Sequence, residues 1–136
     1  MGAGDGLRIN PLTAVQRTVD GTIVGKSLVI KGSAEDDVAP VASANQAVIG
    51  YVADAGANNE QCHCLGDGSV VPLVSENTIT QGDYVVAKSE VRVQTISVLN
   101  PSDKDLLNIV GRAESSAADG ERVYIRLGMR AYNHAE

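Results

Sequence analysis

Apolar and polar residues alternate over short stretches of this chain, and small or turn-forming residues separate the stretches. This is the period-2 pattern of strands with one face in a core. It is clearest between Asn108 and Leu127. Asn108 to Ala113 is a short apolar run, Glu114 to Asp119 is small and polar, Gly120 opens a turn, and Val123, Ile125 and Leu127 alternate with Tyr124 and Arg126. Further strands are predicted at Thr22–Val24 and Leu28–Lys31 around Gly25-Lys26, at Ala47–Ala53, at Gln61–Leu65, at Tyr84–Ala87, and where Val91 and Val93 alternate with Arg92 and Gln94. Ser33 to Asp37 reads as a polar loop with a solvated acidic cluster, Glu35-Asp36-Asp37. Val70 to Val74 carries Pro72, which removes a ladder donor and predicts an edge strand or a crossing linker. One short helical turn is expected from Asn100-Pro101-Ser102-Asp103 through Leu107.

The pattern repeats. An offset of 61 positions carries Gly50 onto Gly111, Asn58 onto Asp119, Glu60 onto Glu121, Cys62 onto Val123, His63 onto Tyr124 and Cys64 onto Ile125. The same offset carries Gly21-Thr22-Ile23-Val24 onto Gly82-Asp83-Tyr84-Val85, and Lys26-Ser27 meets Lys88-Ser89 after a slip of one. Two units follow, at about 18–66 and 79–127. Units this short bury too little surface alone, so the two are expected to share one core as pseudo-symmetric halves. Outside them stand an N-terminal arm (1–17) and a C-terminal tail (130–136). The recurrence of Glu60 and Glu121 at equivalent places points to a shared structural task rather than to an active site.

Composition sharpens this reading. The chain of 136 residues has 43% hydrophobic residues but no Phe, no Trp and four Tyr, so its core must be built from Val, Ile, Leu and Ala. Such residues pack well on pleated sheets, while 14 Gly supply turns, and the fold class expected is all-β: a compact barrel- or sandwich-like domain with extended N- and C-terminal arms. A net charge of −6 argues against a nucleic-acid partner. Met1 to Gly6 lacks the basic and apolar regions of a signal peptide, and no apolar run is long enough to span a membrane, so a soluble protein made in the cytoplasm is expected.

Candidate chemistry is sparse. Gly21 to Ser27 superficially resembles a phosphate loop, but Asp20 stands where its first glycine belongs and Leu28-Val29-Ile30 reads as a strand instead of a helix. Cys62-His63-Cys64 offers zinc-type ligands, yet a strand turns the cysteines one way and the histidine the other, and no further pair completes four ligands. Val123 and Ile125 occupy the equivalent places, so Cys62 and Cys64 read as small core hydrophobes. A bridge between them would span two strand steps, about 6.6 Å, near the upper limit for a disulfide. No carboxylate pair and no Ser–His arrangement stands out. No catalytic, cofactor-binding or metal-binding residue is assigned, and no enzyme activity is expected.

The order of these elements resembles that of the small phage capsid decoration, or cement, proteins. It rests on the Gly-Asp strand entry in Ile79-Thr80-Gln81-Gly82-Asp83-Tyr84-Val85, then Val110-Gly111-Arg112-Ala113, Gly120-Glu121-Arg122-Val123, and the Gly66 to Pro72 run, over about residues 18–129. The first unit departs from the pattern at Gly21-Thr22 and at Asn59. The resemblance implies a homotrimer on the outer surface of a virion capsid, bridging copies of the major capsid protein without catalysis or cofactor. Multivalent attachment would then stabilise the shell by mass action. Contacts with capsid or neighbour are expected from the apolar and arginine residues outside the repeats: Leu7, Arg8, Ile9, Leu12, Val15 and Arg17 in the arm, and Arg130 and Tyr132 in the tail. A different class, the barrel-like carriers of biotin or lipoate, shares a two-half construction. Its carrier lysine belongs at a hairpin tip, commonly beside Met, and Lys26 and Lys88 lack both that neighbour and a clear tip in the sequence.

Overall fold

Ten strands account for the alternating stretches: β1 (Val15–Val19), β2 (Ser27–Lys31), β3 (Asp37–Pro40), β4 (Val48–Val52), β5 (Gln61–Cys64), β6 (Val70–Ser75), β7 (Tyr84–Ala87), β8 (Arg92–Thr95), β9 (Leu106–Ala113) and β10 (Arg122–Asn133). The structure, a computed structural model, describes residues 7–96 and 106–133, and no α-helix occurs among them. The protein is all-β. The first five strands form one sheet in the order β4-β2-β3-β1-β5, and the last five close into a barrel in the order β10-β6-β8-β7-β9.

The two sheets are the same sheet strand for strand. β1 runs parallel to β3 as β6 does to β8. β2 pairs antiparallel with β4, with a register shift at Val29/Ile30, as β7 does with β9, with a shift at Val85/Val86. Arg17 stands opposite Cys62 as Leu73 stands opposite Val123. Loop hydrogen bonds repeat too. Ile23 and Gly56 exchange both backbone bonds at 2.8 Å, and Ile79 and Ala117 do so at 2.9 Å. Glu60 accepts the Ala57 N–H at 2.7 Å through its carboxylate, and Glu121 accepts that of Ala118 at 2.9 Å, which is the shared structural task of the two glutamates. At the turn beside them Asn59 (φ 73°) takes the left-handed conformation that Gly120 (φ 83°) holds in the second half.

The pairing corrects the alignment of the halves. The offset of 61 holds for β4 and β5, but Val29 corresponds to Val85 and Ile23 to Ile79, so the upstream match of Gly21 with Gly82 is five positions out. The two units are therefore β1–β5 and β6–β10, and β6 opens the second unit instead of linking the halves. Pro72 is tolerated in β6 because the bonds to β10 fall on alternate residues, with Leu127 N–H to Ser69 C=O and Ser75 N–H to Glu121 C=O at either end. Between them Pro72 turns its nitrogen away from β10 and offers its carbonyl to the Tyr51 hydroxyl at 3.1 Å. β1 and β3 are strands that the alternation did not mark, and Thr22–Val24 contributes a single bridge at Ile23. Of the expected helical turn, residues 97–105 lie outside the described residues, and Leu106 and Leu107 begin β9.

The cores are joined. One apolar cluster gathers Leu28, Val41, Val48, Tyr51 and Leu65 from the first half with Val71, Leu73, Ile79, Val85, Val123, Ile125 and Leu127 from the second. A second cluster lies within the first half alone: Val19, Ile23, Val29, Val38, Val52 and Cys64. Polar bonds also tie the halves: Leu28 N–H to Glu90 C=O at 2.6 Å, Asn45 N–H to Ala87 C=O at 2.8 Å, and Asn108 to Asn45 through both backbone and side chain.

Candidate interaction surface

The N-terminal segment is seated on the fold. Asn10 caps a turn over Pro11, accepting the Leu12 N–H through its side chain and the Thr13 N–H through its backbone carbonyl. It donates its own backbone N–H to Ser69 Oγ at 3.0 Å and its side-chain amide to Asp67 C=O at 3.0 Å, and the Thr13 hydroxyl reaches the same carbonyl at 2.7 Å. Arg8 and Val70 exchange both backbone bonds, and Leu7 packs against the joint core. With its polar side spent on the Gly66-Asp67-Gly68 turn, the segment presents apolar side chains to solvent: Leu12 is 92% exposed, Ile9 55% and Val15 46%. The boundaries of the arm and tail move accordingly. Val15 to Arg17 belong to β1, and Arg130 to Asn133 continue β10 against β9, with Tyr132 opposite Leu107.

A groove lies beside this segment where the first sheet fails to close. Tyr51 and Leu65 exchange both backbone bonds, the sole bridge between β4 and β5 among the described residues. In the second half β9 and β10 pair from Ala113–Ile125 to Leu106–Asn133, and beyond that Glu114 N–H still reaches Tyr124 C=O at 2.7 Å. The residues equivalent to that last pair, Ala53 and His63, line a groove of about 450 Å³ together with Leu7, Ile9, Val52 and Cys62.

The Cys-His-Cys triplet divides as the strand dictates. Cys64 is buried, Cys62 is half-buried and His63 is exposed; both thiols are free. Burial pushes the Cys64 thiol up to about 11 and raises that of Cys62, while the nearby Arg17 guanidinium works the other way in both. Arg17 on β1 lies on the same face of the sheet as its partner Cys62 on β5 and reaches Asp36 at 3.9 Å, and its Nε is buried without a hydrogen-bond partner. These thiols are poor nucleophiles at neutral pH.

The outer face of the second barrel gathers arginines. Across adjacent strands the Cα partners run Arg8–Val70–Arg126–Arg112–Tyr84, so three arginines and a tyrosine fall on one rung. Glu114 takes Arg126 at 3.2 Å and Arg8 at 3.9 Å. Tyr84, 41% exposed, has the Arg112 guanidinium 5.6 Å and the Arg130 guanidinium 5.2 Å from its ring centre. Of the residues marked from the sequence, the structure thus brings Arg8 and Arg130 to one face and Leu7 and Ile9 to the groove. It leaves Leu12 at a turn tip and Val15 and Arg17 on β1. Tyr84, Arg112 and Arg126 stand outside the residues expected from the sequence; the signal for them is their alternation with buried Val85, Gly111, Ala113, Ile125 and Leu127, which aims them outward.

Of the two lysines considered for a carrier role, Lys26 (φ 50°) is exposed in the turn before β2. Lys88 closes the base of the β7–β8 hairpin loop, its N–H reaching Arg92 C=O at 2.8 Å, and the tip beyond it is held to the first half by the Leu28 N–H on Glu90 C=O.

A closed five-stranded barrel joined to a curled sheet of the same topology is the class of fold in hand. The chain matches no protein-family model, and no curated protein matches it. Among solved structures it is similar to the head fiber gp8.5 N base of bacteriophage phi29, with a TM-score of 0.60 and 13% identity, over 89% of this chain and 98% of that one. At this identity the likeness is one of fold.

Proposed function

We propose that this protein is a structural component of a phage virion, which binds the outer surface of the capsid as a homotrimer and stabilises the shell. The observation that carries the reading is the fold shared with a phage head fiber base over nearly the full length of both chains. The repeat pattern supports it, and on this reading the two halves descend from one duplicated unit. The partner is the major capsid protein, and the chemistry is multivalent contact without turnover.

The contact surface assigned by this reading is the seated N-terminal segment, with Ile9, Leu12 and Val15 outward. Exposed apolar side chains held by a rigid polar anchor lose little entropy on docking. Removing residues 1–17 would cut into β1 and disturb the fold, so side-chain changes make the cleaner test. The variant Ile9→Gln/Leu12→Gln is expected to lose co-sedimentation with capsids to which the wild-type protein binds, with unchanged thermal unfolding. Undiminished binding by that variant removes the segment from the contact. The carrier reading has in its favour only that Lys88, beside the β7–β8 loop, is exposed. A lysine mass shift in protein isolated from its native source would support it.

A further inference from the structure

We propose that the arginine-bearing outer face of the second barrel is a binding site for an acidic peptide segment, with Arg112 and Arg130, both beside the Tyr84 ring, receiving its carboxylates. The inference stands whatever assembly the chain joins. Neither Arg112 nor Arg130 forms an ion pair among the described residues; Arg112 gives its Nε to the Gly82 carbonyl at 3.1 Å, which fixes the fork. Both make cation–π contacts with the same exposed ring, which pre-orients them and lowers the entropy lost on binding. Farther along the rung, Arg126 and Arg8 share the single carboxylate of Glu114.

Two further acids at the margins are turned to backbone N–H groups and form no ion pair among the described residues. Asp67 accepts the Met129 N–H at 3.0 Å, and Asp83 accepts the Thr80 N–H at 2.9 Å. Four guanidinium groups, two of them sharing Glu114, lie on one face of a chain whose net charge is −6. That contrast selects the ligand. A long polyanion such as duplex nucleic acid meets the repulsive field of the whole molecule, whereas a short acidic segment meets only the local forks, within a screening length of about 10 Å. Planar forks also match carboxylates in a bidentate manner.

The test uses the full chain and a blocked hexaglutamate peptide, followed by backbone amide shifts at low ionic strength. Shifts are expected to concentrate at Tyr84, Arg112 and Arg130. The variant Arg112→Gln/Arg130→Gln should weaken binding about fivefold, as two exposed charge pairs allow. The control Lys31→Gln/Lys88→Gln, which removes the same charge elsewhere, should leave it within error. Arg112→Lys/Arg130→Lys keeps the charge and loses the fork, and should also weaken binding; matched thermal melts establish that the variants are folded. Equal losses in the control pair, shifts mapping to another face, or tighter binding of a thymidine oligonucleotide of equal charge would each overturn the proposal.

Discussion

The first half and the second half of this protein share one topology and differ in how fully it is closed. In the second half β9 and β10 pair on both sides of a single register shift between Leu127 and Arg130, and the interior is filled by Leu73, Val123 and Ile125. In the first half the corresponding positions are Arg17, Cys62 and Cys64, and β4 and β5 touch at one bridge. Shrinking two interior side chains and charging a third leaves the strands apart and a groove between them. Closure of a small barrel is therefore set by the volume of a few facing side chains as much as by the strand order.

The sharpest break in that comparison is expected at the two glycines where the closing strands approach. A side chain at Gly111 would run into the backbone carbonyl of Arg126, whereas at Gly50 it would meet the Cys64 sulfur and the Leu65 carbonyl at a looser seam. Gly111→Ala should cost about 3 kcal/mol or more, and Gly50→Ala clearly less, both read from urea unfolding. Next in size, Ile125→Ala should cost about 3 kcal/mol and its counterpart Cys64→Ala about 1 kcal/mol, because little volume is lost from the smaller core. Arg17→Leu, which copies Leu73 into the first half, removes a buried Nε without a partner. It should raise stability by about 1 kcal/mol in spite of the lost pair with exposed Asp36.

A last effect is one of pH. The Cys64 thiol stands at about 11 in the fold against an ordinary 9.0, so the unfolded chain releases its proton first as pH rises. Stability should fall between these values and be fully present below them. Cys64→Val should flatten that part of the profile, and an unchanged slope would place the titration elsewhere.

Much of this was legible in the sequence, for identifiable reasons. β10 alternates cleanly, β4 and β7 stand out as short apolar runs bounded by turn residues, and Gly50/Gly111 and Glu60/Glu121 recur because each does the same thing in both halves. β1 and β3 stayed hidden because their faces carry Arg17 and Asp37 in place of aliphatic residues, so the alternation fades. Pro72 argued against an interior strand, and only the bond pattern shows that its nitrogen has nothing to donate to. The upstream offset slipped because two glycine–strand entries look alike, whereas the pairing partners of Val29 and Val85 are unambiguous. At the surface, the arginines of the arm and tail were marked as lying outside the repeats. Their convergence with Arg112, Arg126 and Tyr84 depends on cross-strand register, which no local pattern encodes.

The central claim, a trimeric virion protein, is tested most directly by the mass of the purified protein in solution, measured by light scattering. The account predicts a species near three times 14.1 kDa. A monomer that persists at high concentration would contradict it.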